Sequence, residues 1–184
     1  MKETVHLQAK AMKKLNDLSL QGEIVVFGST YMSDFPLYEL INKCTFENAV
    51  YNRSIAGLTV SEALEIAADC VIELHPSKIL LALGEEDENN PNAAEEYAAL
   101  VSGLRTQLPG CELYIIGLTG NGSYEEHFNR KLKALCKDKM VKYIDFINRN
   151  TSETALYRAR FKQLSCCFRS KPLNMCDAFG MGGV

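Results

Sequence analysis

Apolar and polar positions along this chain follow two periods. Residues 4–20 carry Val5, Met12, Leu15 and Leu18 among lysines and acids, the spacing of an amphipathic leading helix that Gly22 ends. The pattern then turns continuous. "EIVVF" (23–27) and "KILLALG" (78–84) are short apolar runs, as strands covered on both faces should be. "FENAVYN" (46–52), "CELYIIGL" (111–118) and "VKYIDF" (141–146) predict three more strands.

Helical spacing returns between them. In 59–74, Leu64, Ala67, Ala68, Val71 and Leu74 share a face, Thr59 with Glu62 forms a capping box, and His75-Pro76 stops the helix. Residues 90–108 make the next helix, capped at Asn90 or Asn92 and closed by Pro109-Gly110, and 123–139 make another. Residues 152–168 predict a last helix, before a tail rich in loop formers. Strands alternating with helices of this length give an α/β, doubly wound sheet of about five parallel strands with helices on both faces. With 184 residues, no repeat and no low-complexity segment, the expectation is one domain over 1–184.

Composition narrows the class. Apolar residues make up 47% and charged residues 23%, ordinary values for a globular protein. A net charge of −3 and no basic stripe argue against nucleic acid. No run is long enough to span a membrane, and charges interrupt residues 1–22 where a signal peptide would be apolar, so a cytoplasmic protein is expected. Seven irregularly spaced cysteines argue against a disulfide framework. Cys70 and Cys136 fall on apolar helix positions. Cys166, Cys167 and Cys176 match no zinc spacing, so neither a metal nor a cofactor is expected.

Ligands of such sheets bind outside the carboxyl ends of the strands. Three turns converge there: "FGST" (27–30), "YNRSIAGLT" (51–59) and "GEED" (84–87). In this order, with "LPG" (108–110) before the fourth strand, the chain resembles the SGNH (GDSL-type) hydrolases. The resemblance runs from the leading helix through "YIDF" and implies a flavodoxin-like three-layer fold. It further implies an esterase or acylhydrolase, with an ester, acyl or carbohydrate ligand.

Carried over position by position, the resemblance puts the nucleophile at Thr30, after the variable Ser29. It puts the bracing asparagine at Asn52 and the oxyanion glycine at Gly57. The oxyanion asparagine falls at Glu86. The Asp-x-x-His segment falls at Asp177, with Gly180 in place of histidine. Threonine keeps a hydroxyl, but its methyl crowds attack. An ionised carboxylate is acceptor-only and repels an oxyanion. Loss of triad members costs about 10⁴ to 10⁶ in rate, and loss of one oxyanion donor roughly a further 10² to 10³.

The favoured expectation is therefore a catalytically degenerate member that binds a ligand or partner. The alternative is an active esterase using Thr30 with a rearranged base, either His127 on the helix after "TGNGS" or Glu86 itself. A third reading lets "GEEDE" (84–88), with Asp34, hold Mg²⁺ or a cationic ligand, against the plainer one of a solvated acidic loop. Ser33 is an alternative hydroxyl; His75, before Pro76, is expected as a charge at a helix C-terminus on the opposite edge of the sheet, and His6 lies in the leading helix with no visible partner. The family's closing helix is expected to be absent, with 152–168 or the leading helix covering that face, or a second copy of the chain docking on it.

Overall fold

The computed structural model describes residues 2–139, 141–148 and 151–169. Five strands form one parallel sheet: β1 (Ile24–Gly28), β2 (Val50–Asn52), β3 (Lys78–Ala82), β4 (Glu112–Ile116) and β5 (Lys142–Ile144). Their order is β2-β1-β3-β4-β5, and every pairing is parallel. Seven α-helices are described: α1 (Glu3–Leu15), α2 (Thr30–Asp34), α3 (Leu37–Ile41), α4 (Val60–Cys70), α5 (Ala93–Gln107), α6 (Ser123–Lys139) and α7 (Glu153–Phe168). This is the flavodoxin-like order, and its chain reversal lies between β1 and β3.

Strand alternation sorts the core into two layers. Val25, Phe27, Ile79, Leu81, Leu113 and Ile115 face one way, against residues of α1, α4, α5 and α6. Ile24, Val26, Leu80, Tyr114 and Ile116 face the other way, against Met32 of α2, Leu37 of α3 and Phe161, Leu164 and Phe168 of α7. Residues 153–168 thus cover this second face of the sheet. Lys78 fixes the far end of α7. Its buried ammonium donates to the Cys167 and Arg169 carbonyls at 2.9 and 2.6 Å, satisfying acceptors that the end of a helix leaves open.

The sheet differs from its sequence expectation mainly at β2. Only 50–52 of the expected 46–52 is strand. Phe46 leaves the edge to pack its ring on Phe161 and Phe168. The leading helix stops at Leu15 and tightens into a 3-10 turn over Asn16–Leu18. The 59–74 helix likewise ends at Cys70 and passes through a 3-10 turn to His75, whose φ of 43° reverses the chain before Pro76. Two five-residue helices, α2 and α3, stand where no helix is expected. Both are too short to show a 3.6-residue period. No helix of the described residues is long and apolar enough to cross a membrane.

Candidate functional site

The carboxyl ends of β1 and β3 meet closely because Gly28 has no side chain. A Cβ there would press on the Ala82 carbonyl and on Met32. The chain leaves β1 through Ser29, fully buried, and starts α2 at Thr30. The loop after β2 returns at Gly57, and the loop after β3 brings up Glu85, Glu86 and Asp87. Three segments far apart in sequence therefore close on Thr30.

Thr30 is held from both sides. Its Oγ1 accepts the Gly57 N–H at 2.8 Å and donates to Glu86 Oε1 at 2.6 Å. Lys2 reaches the same loop, donating its ammonium to the Gly57 carbonyl at 2.5 Å. Asn52 ties two turns together. Its amide donates to the Met32 carbonyl at 2.9 Å, and its Oδ1 accepts the Ser54 N–H at 3.1 Å.

The acidic run diverges. Asp87 points inward, and its two oxygens accept the Val60 N–H at 3.2 and 3.1 Å, capping α4. Burial pushes its carboxyl above the ordinary range, against the opposing pull of Val60 and Asn90. Glu85 is half-buried, and its Oε1 accepts the Tyr31 N–H at 2.8 Å. Burial pushes Glu85 up; the Tyr31 N–H opposes this and the Glu86 charge adds to it. Glu86 is exposed and turns to Thr30. Pointing three ways, these carboxylates make no cation cage, and among the described residues no group of three or more His, Cys, Asp or Glu could hold a metal. That corrects the Mg²⁺ reading of "GEEDE". Asp34 is exposed and joins no such site.

A crevice opens beside Thr30, across the ends of β1, β3 and β4. Tyr31, Ala82, Glu85, Ile116, Leu118 and Thr119 line it. Arg160 of α7, buried, fixes the Tyr31 wall. It donates to the Tyr31 hydroxyl at 2.7 Å and to the Ile147 carbonyl at 3.0 Å, and its guanidinium lies 5.1 Å from the Tyr31 ring centre. Sequence reasoning missed Tyr31 and Arg160, and took Glu85 only as one of the acids of "GEEDE". The only local signal for Tyr31 was that it follows Thr30.

None of the three histidines is a partner of Thr30 among the described residues. His127 is exposed on α6, His75 ends a turn before β3 at the opposite edge, and His6 lies in α1. Asp177 and Gly180, with Cys176, lie outside the described residues. Cys70 and Cys136 are buried among apolar neighbours, which push both thiols up, to about 12 and about 11, as inert core cysteines should be.

Solved structures share this arrangement of elements. A Streptococcus pneumonia protein provisionally named a platelet activating factor matches at a TM-score of 0.78, with 18% identity over 90% of this chain and 93% of its own. A provisionally named acylhydrolase from Bacteroides fragilis matches at 0.75, with 12% identity over 91% and 98%. A GDSL-like lipase from Bacteroides thetaiotaomicron matches at 0.68, with 13% identity over 85% and 96%. The fold is that of the SGNH (GDSL-type) hydrolases. No protein-family model matches this chain, and no curated protein does by sequence. Structure, not sequence identity, carries the likeness. The turn after β1, where the sequence resemblance puts a nucleophile, carries Thr30.

Proposed function

We propose that this chain keeps the SGNH-type scaffold and its crevice but not the ester-cleaving machinery, and that it binds a small-molecule ligand without hydrolysing it. One observation carries this reading: the Thr30 hydroxyl sits between the Gly57 N–H and the Glu86 carboxylate. The Gly57 N–H, which the resemblance assigns to the oxyanion, already serves the hydroxyl. The Glu86 position, where that chemistry needs a donor, holds an acceptor that opposes a developing negative charge. Among the described residues no imidazole touches the hydroxyl to take its proton.

The test is hydrolysis of p-nitrophenyl acetate by the purified chain. The expected result is a rate equal to that of Thr30→Ala. Turnover that Thr30→Ala abolishes would overturn the reading.

The same 2.6 Å contact favours a second reading, in which Glu86 is the general base for Thr30. That reading requires turnover that Glu86→Gln and Thr30→Ala both remove.

A further inference from the structure

The crevice beside Thr30 has one uncompensated charge. Glu85 lines it, half-buried, together with Tyr31, Ala82, Ile116 and Leu118. Asp87, two residues on, is also buried without a cation. Both of its oxygens face the Val60 N–H, and Asn90 adds to them, so its charge is answered within the protein.

The groups that hold the Glu85 charge are neutral ones, the Tyr31 N–H on Oε1 and the Ser29 hydroxyl. No ion pair among the described residues includes it. The charges acting on it, Glu86 and Asp34, share its sign. The buried cation nearest in the network, Arg160, is linked to it only through Tyr31. Its donors go to the Tyr31 hydroxyl and the Ile147 carbonyl, and among the described residues it pairs with no carboxylate. A carboxylate held partly out of water, with no cation of its own, gains most from a partner that brings charge and N–H donors together.

We infer that this crevice seats a small ammonium group, with Glu85 as its counter-ion and Tyr31, Ile116 and Leu118 against its alkyl carbon. This rests on the binding reading above and names the chemical class of the ligand: an amine-bearing small molecule, rather than an anion or a neutral ester. The apolar walls favour an alkylammonium over a bare metal cation, which would need several oxygen ligands. Thr119, also in the lining, carries a hydroxyl of the kind that accepts an ammonium hydrogen.

Three probes of similar size separate the outcomes: ethylammonium chloride, ethanol and sodium acetate. Each is titrated into the intact chain and into Glu85→Gln, with backbone amide shifts as the readout. Glutamine keeps one acceptor oxygen for the Tyr31 N–H and removes the charge, with an NH2 donor in place of the second oxygen. So small a probe binds at about millimolar at best, a range that such shifts resolve.

The expected result is saturable movement of the Tyr31 and 117–119 amides with ethylammonium alone, weakened at least about tenfold in Glu85→Gln. Ethylammonium no better than ethanol in the unaltered chain would overturn the inference, whether or not the variant folds. So would equal ethylammonium binding in Glu85→Gln. If ethanol or acetate moves those amides instead, the ammonium class fails while the crevice remains a binding site. If no probe moves them, the class fails, and the crevice loses its support as a binding site too.

Discussion

Two threonine–glutamate pairs stand at helix starts in this protein, and they do different work. Thr59 and Glu62 are three residues apart. The Thr59 hydroxyl accepts the Glu62 N–H, and the Glu62 carboxylate accepts the Thr59 N–H at 3.2 Å, so that two amides at the start of α4 are satisfied reciprocally. Thr30 and Glu86 are 56 residues apart. Thr30 begins α2, yet its hydroxyl serves no amide of that helix. It accepts from Gly57, in another loop, and donates to Glu86 in a third. The first pair stabilises a helix. The second joins three strand-end loops.

The largest break in this comparison comes from Gly84, which carries the β3 loop into the site. Its φ is 112°, and a Cβ there would fall on the Phe128 ring. Gly84→Ala meets both a disfavoured backbone and a buried ring, and is expected to cost about 3 kcal/mol. Chemical denaturation measures that loss. Amide exchange should show the 84–87 loop loosened, with Glu86 drawn off Thr30, while the Thr59–Glu62 box stays protected. Loss of protection at the box in step with the loop would mean that the two pairs are not separable.

A smaller contrast lies between the threonines themselves. Thr59→Ala removes a cap from an eleven-residue helix and should cost about 1–2 kcal/mol. Thr30→Val keeps the shape of the side chain and leaves Gly57, only partly buried, to find water. It should cost roughly 0.5 kcal/mol. Paired denaturant melts check the order. An equal or larger loss at Thr30 would make that pair a structural one and remove the reason to read the turn as the remains of a site.

The same contrast explains what the sequence makes legible. The sheet is readable because "IVVF" and "KILLA" are apolar throughout and the helices between them keep a 3.6-residue period. The capping box is readable because its members are three residues apart. Thr30, Gly57 and Glu86 are readable one at a time, from the turn residues that follow each strand. Their mutual contact is not, because no local rule sets the rotamer of a threonine against a loop 56 residues away. "GEEDE" hides most. Five consecutive letters do not say that Asp87 turns in to cap α4, Glu85 turns to Tyr31 and Glu86 faces Thr30. The backbone reversal at Gly84 decides that. Arg160 is hidden for the same reason, since its partner Tyr31 lies 129 residues earlier.

The finest difference between these glutamates is how each depends on pH. Burial pushes the Glu62 carboxyl up, but hydrogen bonds from the Lys2 and Thr59 N–H groups and the Thr59 hydroxyl outweigh it, and the net shift is down. Its contribution to stability is therefore present above the ordinary carboxylate pKa and is lost as pH falls through the lower folded value. Glu85 runs the other way. Burial raises it, so the folded state holds its proton more tightly than the unfolded chain does. Its favourable contribution is complete below the ordinary carboxylate pKa and fades as pH rises through the higher folded value. Stability measured by urea denaturation from about pH 3 to 7 should thus lose part of its acid-side fall in Glu62→Gln. Glu85→Gln should lose part of the decline on the neutral side. Bound ethylammonium favours the ionised Glu85 carboxylate, so with ligand present the neutral-side decline should flatten in the unaltered chain and not in Glu85→Gln. A ligand effect that is the same in both proteins would place the cation elsewhere on this acidic surface and separate the crevice from Glu85.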